Sequence, residues 1–139
     1  MCFNYKLKNY NFDIYIMGYM YLAFAIISSF FIINRMYLII AILAFIVSIY
    51  NFYNRIIGKK HPYRICFKEN NIEFHSKNKI SSFDYKDIQK FYLKQYAIDV
   101  ETYLWIETIN KKRYKFYINL AKFEDNKELL NQLLELKTN

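Results

Sequence analysis

Cys66 and His75 are the two residues of this sequence with the clearest potential for nucleophilic chemistry. They fall on consecutive stretches of alternating apolar and polar residues, so adjoining strands could bring the thiol and the imidazole together on an outward face. Catalysis by such a pair also needs an activated thiolate, a third group that orients the base, and an oxyanion hole. No Gly-rich turn or helix start lies near Cys66 to build that hole. The pattern favours two unrelated strand residues, and we expect no enzyme activity.

The remaining histidine and the acidic residues do not complete a reactive site either. His61 and His75 lack a second cysteine or acids at ligand spacing, so we expect no metal site and no cofactor. The sequence has no phosphate-binding loop, nucleophile elbow or dinucleotide fingerprint. The acids that could form a general acid–base pair are Asp84, Asp87, Asp99 and Glu101. Asp87 falls at an expected corner between strands, and Asp99 and Glu101 fall in an expected loop, so solvated carboxylates are the expected state.

Basic residues are the feature of the sequence that indicates a binding function. The chain has 20 Lys and Arg against 12 Asp and Glu, which gives a net charge of +8. The candidate contact residues for anionic lipid headgroups or a protein partner form two clusters, Arg55, Lys59, Lys60 and Arg64, and Lys111, Lys112, Arg113 and Lys115. The first cluster directly follows an apolar segment. Its bases either set membrane topology or gain on the order of 1 kcal/mol each at an anionic leaflet, and the two interpretations are compatible.

Nucleic acid is not an expected partner, although three aromatic residues lie close to the second cluster: Tyr103, Trp105 and Tyr117. Aromatic side chains among bases are typical of proteins that bind single strands. Strands this rich in Tyr and Phe, however, need their aromatic residues for a core.

Two uncharged apolar segments, residues 14–33 and 36–53, precede both basic clusters in the sequence. As helices they would be about 30 and 27 Å long, which matches the hydrocarbon thickness of a bilayer. Neither shows the polar stripe of a soluble surface helix. Because only Asn34 and Arg35 separate them, they predict an antiparallel transmembrane hairpin. Small residues that would allow close packing recur on one face of each helix: Gly18, Ala25 and Ser29, and Ala41, Ala44 and Ser48.

Basic residues flank the outer ends of both segments, whereas only Arg35 lies between them. The positive-inside rule therefore predicts a multi-pass membrane protein with both termini in the cytoplasm. The abundance of Ile, Asn, Lys, Tyr and Phe fits an AT-rich bacterial coding sequence, so we expect this membrane to be the bacterial inner membrane. The expected organisation is a cytoplasmic N-terminal segment, 1–13, a transmembrane hairpin, 14–55, and a cytoplasmic domain, 56–139. In that compartment Cys2 and Cys66 are expected to be reduced.

Beyond Gly58 the apolar residues alternate, which is typical of half-buried antiparallel strands. The predicted strands are 63–68, 72–75, 80–85, 88–96, 102–109 and 113–120, separated by polar turns such as Glu69–Asn71. A helix is predicted after Asp125, with Glu128 three residues later in a capping-box arrangement. Its apolar stripe consists of Leu129, Leu130, Leu133, Leu134 and Leu136. The predicted class is a membrane α-helical hairpin plus an α+β domain.

Strands closed by one amphipathic helix resemble a pleckstrin-homology-like (PH-like) domain, and the whole chain resembles small bacterial membrane proteins with two helices before such a domain. The matching segments are YRICFK, ENNIEFHS, YKDIQKF, the pair TYLWIETI and RYKFYINL, and the leucine helix. The resemblance implies an antiparallel β-barrel or sandwich of six to seven strands that binds or scaffolds. Inositide recognition is not implied, because the first turn, Glu69–Asn71, contains no base.

Together these features predict a membrane-anchored, non-catalytic module that binds anionic lipid headgroups or a protein partner at the inner membrane. An alternative of another class is an immunity-type protein that neutralises a toxin at the membrane. Small size and an anchor permit that alternative, but no residue requires it. The oligomeric state is left open by the sequence.

Overall fold

The computed structural model describes residues 1–94 and 101–138 of the chain. It divides them into two compact units, which we call the β unit, Met1–Asn9 with Lys60–Asn139, and the helical unit, Tyr10–Lys59. The first residues of the chain therefore fold with its C-terminal part. The helical unit is inserted between them in the sequence.

The helical unit consists of two long apolar helical segments. The first begins with α1 (Leu7–Asn11), whose first residues belong to the β unit, and continues through a π-helical stretch (Phe12–Ile16) and α2 (Met17–Ile33). The second contains α3 (Leu38–Phe52) and a π-helical stretch (Tyr53–Ile57). By length and composition, Lys8–Ile33 and Leu38–Ile57 are sufficient to cross a membrane. The predicted turn Asn34–Arg35 extends to Tyr37, because Arg35 and Tyr37 adopt left-handed backbone angles, with φ of 54° and 48°, as the chain reverses.

Small residues lie where α2 and α3 pack together, as the sequence predicts, but with two changes. Gly18, Ala25 and Ser28 are the buried residues of α2, and Ala41 and Ser48 are those of α3. Ser28 thus replaces the predicted Ser29, whose hydroxyl instead donates a hydrogen bond to the carbonyl of Ala25. The predicted Ala44 is exposed.

In the described part of the β unit, seven strands form two antiparallel sheets. The first sheet has the order β1 (Cys2–Asn4), β2 (Arg64–Phe67), β3 (Asn71–Ser76) and β4 (Lys79–Asp84). The second has the order β5 (Ile88–Lys94), β6 (Thr102–Thr108) and β7 (Arg113–Ile118). The predicted α+β class is confirmed, but the sheets do not close into a barrel among the described residues. The last residues of the predicted strand 88–96 lie outside the described part of the chain.

The core lies between the sheets and under the helix α4 (Asn126–Thr138). The rings of Phe74 and Phe116 stack across it with centroids 4.3 Å apart. Two leucines of the predicted stripe, Leu129 and Leu133, are fully buried. Burying such a side chain contributes about 1.5–3 kcal/mol, so α4 is held by its apolar face.

Strand β1 is the element that sequence analysis did not predict, and it corrects the expectation for the cysteines. It pairs with β2 so that Cys2 lies directly opposite Cys66, with Cα atoms 4.0 Å apart. The two residues form a disulfide, whereas reduced thiols were expected. The expectation was wrong because it rested on compartment alone, without the strand that brings the two sulfurs together.

Candidate anion-binding face

The outward side of the β5–β7 sheet carries basic and aromatic residues from all three strands. Antiparallel pairing places these residues in three rows across the strands. The rows are Lys94, Tyr103 and Tyr117; then Tyr92, Trp105 and Lys115; then Lys90, Glu107 and Arg113. We call these nine residues the basic face. The alternate residues of the same strands, such as Leu93, Leu104 and Phe116, point into the core.

Cations and rings of the basic face are in direct contact. The Lys115 ammonium lies 4.1 Å from the ring centroid of Tyr103 and 4.8 Å from that of Tyr117. The Arg113 guanidinium lies 5.3 Å from the centroid of Trp105, whose other neighbour, Tyr92, stacks on it at 5.4 Å. Such cation–π contacts contribute roughly 0.5–1 kcal/mol each at exposed sites. They also hold the charges in fixed positions above the sheet.

Glu107 is the acid of the basic face, and its charge is already compensated. Arg113 Nε donates a hydrogen bond to Glu107 Oε2. That bond, together with the nearby positive charges of Arg113, Lys90 and Lys111, holds the pKa of Glu107 below its ordinary value. Lys90, Lys94 and Lys115 are the other bases of the face, so its charge is strongly positive.

The turn between β6 and β7 ends the sheet with an exposed aliphatic side chain among bases. The turn is closed by Thr108, whose N–H donates to the carbonyl of Lys112 at 3.0 Å and whose carbonyl accepts from Lys111 N–H at 2.8 Å. Lys111 takes a left-handed conformation there, with φ of 57°. Ile109 is 60% exposed at this tip.

His61 lies at the opposite end of the basic face. Its ring stacks on Tyr117 with centroids 5.2 Å apart, and its Nε2 lies 3.0 Å from Glu101 Oε1. From the sequence, His61 was considered as a metal ligand. In the structure it is buried and supports the ring of Tyr117.

The first predicted cluster, Arg55, Lys59, Lys60 and Arg64, is divided between the two units. In the helical unit, Arg55 donates to the carbonyl of Asp13 at 2.7 Å, and Lys59 has a left-handed φ of 48°. In the β unit, the carbonyl of Lys60 accepts a hydrogen bond from Tyr117 N–H, and Arg64 is exposed opposite His75. The backbone of Lys60 therefore adjoins the basic face at Tyr117, whereas Arg64 belongs to the other sheet.

The second predicted cluster lies at one end of the basic face. Arg113 and Lys115 point outward from β7, and Lys111 and Lys112 are exposed in the turn. Sequence analysis missed the contribution of β5, namely Lys90, Tyr92 and Lys94. The alternation of Phe91 and Leu93 with polar residues in the predicted strand 88–96 carried that signal, because residues on either side of Phe91 and Leu93 point to the opposite face.

The residues weighed for catalysis or metal binding have other partners in the structure. Cys66 is buried in its disulfide and lies opposite Glu73, while His75 Nε2 lies 3.0 Å from Glu73 Oε2. Hydrogen bonds from Lys68 and His75 hold the pKa of Glu73 below its ordinary value. In residues 1–94 and 101–138, no three His, Cys, Asp or Glu side chains are grouped so that they could hold a metal. Asp99 lies outside these ranges.

A cavity of about 740 Å³ lies between β5 and α4. Phe91, Trp105 and Leu136 contribute apolar walls, and Gln132 and Glu135 contribute polar ones. This mixed lining does not select one class of ligand, so the basic face is the better-defined site.

The chain was also compared with known proteins. No protein-family model matches it, and no curated protein matches it in sequence. The interpretation of the basic face therefore depends on the geometry and chemistry described above.

Proposed function

We propose that this protein is a membrane-anchored, non-catalytic interaction module, in which the helical unit is a transmembrane hairpin and the β unit binds an anionic partner through the basic face. The observation that carries the proposal is the exposed apolar surface of the two helices. Ile33 and Ile39, for example, are 78% and 76% exposed. Contiguous apolar surface of this kind is typical of a membrane or protein interface.

The pairing of β1 with β2 supports a hairpin that crosses the membrane twice. β1 precedes the first apolar helix and β2 follows the second, yet their residues hydrogen-bond across the register Phe3–Ile65. Both ends of the hairpin must then lie in one compartment, which requires an even number of crossings. Basic residues near both ends favour the cytoplasmic side of the inner membrane.

A PH-like fold is the architecture that we propose for the β unit. Two antiparallel sheets followed by one amphipathic helix agree with it. The order of elements after the hairpin, six strands and then α4, is also the order of that fold. The proposal includes no inositide site, because the β2–β3 turn offers Glu69 and Asn70 rather than bases.

Membrane integration is tested with the full chain by alkaline carbonate extraction and flotation of membranes. We expect the wild-type chain to remain with the membrane fraction. Ile26→Lys with Val47→Lys places two charges on exposed positions of the helices, at a cost of roughly 2.5–3.5 kcal/mol each, and should reduce integration. Ile80→Lys is the matched control, because Ile80 is 63% exposed in the β unit and Ile26 is 64% exposed in the helical unit. Release of the wild-type chain by carbonate would contradict the proposal.

A further inference from the structure

We infer that the anionic partner of the basic face is the phosphate layer of a lipid bilayer, and that the β6–β7 tip enters this layer with Ile109. The inference rests on the proposed function, since it names the partner of the same face. The proposed partner is a membrane surface. Binding to single-stranded nucleic acid or to an acidic protein would be an alternative result of the test.

The first support is the charge distribution of the face and tip. Lys90 and Lys94 lie on β5 and Lys115 lies on β7, and the one acid of the face, Glu107, is bonded to Arg113. Lys111 and Lys112 continue the positive charge into the turn. Bases on both outer strands and in the turn complement a layer of many phosphates, because each base can meet a different headgroup.

The second support is the arrangement of the aromatic rings, which disfavours nucleic acid. Stacking of bases on a protein needs ring faces that are open. Here Trp105 lies between Arg113 and Tyr92, and Tyr103 lies under Lys115. Binding to a headgroup layer does not need open ring faces. The amphipathic rings of Trp and Tyr favour that layer, where they lie among Lys and Arg.

The third support is the tip itself. Ile109 projects into solvent at 60% exposure with Lys111 and Lys112 beside it. A phosphodiester strand gives nothing apolar for this side chain to contact, whereas the boundary between headgroups and acyl chains does. An aliphatic tip with a basic rim therefore fits a bilayer better than a nucleic acid.

Trp105 makes the inference directly measurable, because it is the only tryptophan of the chain. The full chain is placed in discs of neutral phosphatidylcholine and titrated with vesicles of phosphatidylcholine, alone or mixed with phosphatidylglycerol, that carry brominated acyl chains. We expect quenching of Trp105 fluorescence by the anionic vesicles and none by the neutral ones.

Matched variants distinguish the contribution of the β6–β7 tip to vesicle binding from that of the overall positive charge. Lys111→Gln with Lys112→Gln should weaken binding to the anionic vesicles roughly 30-fold, if each base contributes as juxtamembrane bases do. Lys77→Gln with Lys79→Gln removes the same charge at the β3–β4 turn and should change binding far less. Ile109→Asn should reduce quenching by acyl-chain bromine, with Ile80→Asn as its control. Unchanged Trp105 emission without vesicles shows that each variant is folded.

Three results would overturn the inference. Equal quenching by both kinds of vesicle, or none by either, excludes recognition of anionic lipid and, where an oligothymidylate does not quench Trp105 either, leaves an acidic protein as the partner. Stronger quenching of Trp105 by an oligothymidylate than by anionic vesicles would assign the face to nucleic acid. A chain that fails to integrate into the discs contradicts the proposed function instead, so the two failures are distinguishable.

Discussion

At the scale of a single residue, Glu107 lowers the net positive charge of the basic face. It accepts a hydrogen bond from Arg113, and removing its carboxylate both deletes a negative charge and releases that guanidinium. Glu107→Gln is therefore expected to strengthen binding to anionic vesicles about fivefold at neutral pH, the effect of roughly one base near the surface. Glu73→Gln, which removes the same charge from the other sheet, is the control. Unchanged or weaker binding by Glu107→Gln would contradict the role of the face.

The carboxylate of Glu107 also makes folding stability and vesicle binding depend on pH. Because the pKa of Glu107 is lowered, its contribution to folding stability is present above the ordinary value of 4.5 and is lost as pH falls through the lowered pKa. Binding of the wild-type chain to anionic vesicles should rise over that same acidic range, as the face loses its negative charge. The Glu107→Gln variant should lack this part of the rise. Vesicle titrations at several pH values compare the two chains.

At the scale of elements, α4 is held to the sheets by a few fully buried leucines. Leu133→Ala removes a side chain with no exposed surface and should destabilise the β unit by about 2–5 kcal/mol. Leu130→Ala, on the half-buried edge of the stripe, should cost less. Unfolding by urea, followed through Trp105 fluorescence of the full chain in detergent, measures both. Equal losses would contradict the packing of α4.

The sequence predicts elements well where one local period decides them. The apolar runs of α2 and α3, the alternation of β2 to β7 and the leucine stripe of α4 were all predicted from spacing alone. β1 was missed because three residues carry no period, and because its partner β2 lies about sixty residues away across the apolar helices. The disulfide was missed for the same reason.

The candidate site also combines residues that a local pattern predicts with residues that depend on strand pairing. Arg113 and Lys115 could be predicted because they are two residues apart in the sequence and therefore share one side of β7. The contribution of Lys90 and Lys94 depends on the pairing of β5 with β6, which places Lys90 opposite Glu107 and Lys94 opposite Tyr103. No local pattern specifies that register, so the extent of the face emerges only from the assembled sheet.

At the scale of the whole molecule, the basic residues and the disulfide favour opposite sides of the membrane. Bases near both ends of the hairpin favour a cytoplasmic β unit, whereas a disulfide is typical of oxidising compartments. We give the charges the greater weight, because they act during insertion, while Cys2 and Cys66 can be oxidised wherever strand pairing brings them together.

The proposed topology predicts how a thiol introduced into the turn between the helices is labelled in cells. A chain with both cysteines replaced by serine and carrying Arg35→Cys, in the turn between the helices, should be labelled by an impermeant maleimide without permeabilisation. Protection of Arg35→Cys from the impermeant maleimide until the membrane is permeabilised would place the β unit outside the cytoplasm. The basic face would then meet the outer leaflet, and the assignment of its partner to anionic lipid would have to be tested on that surface.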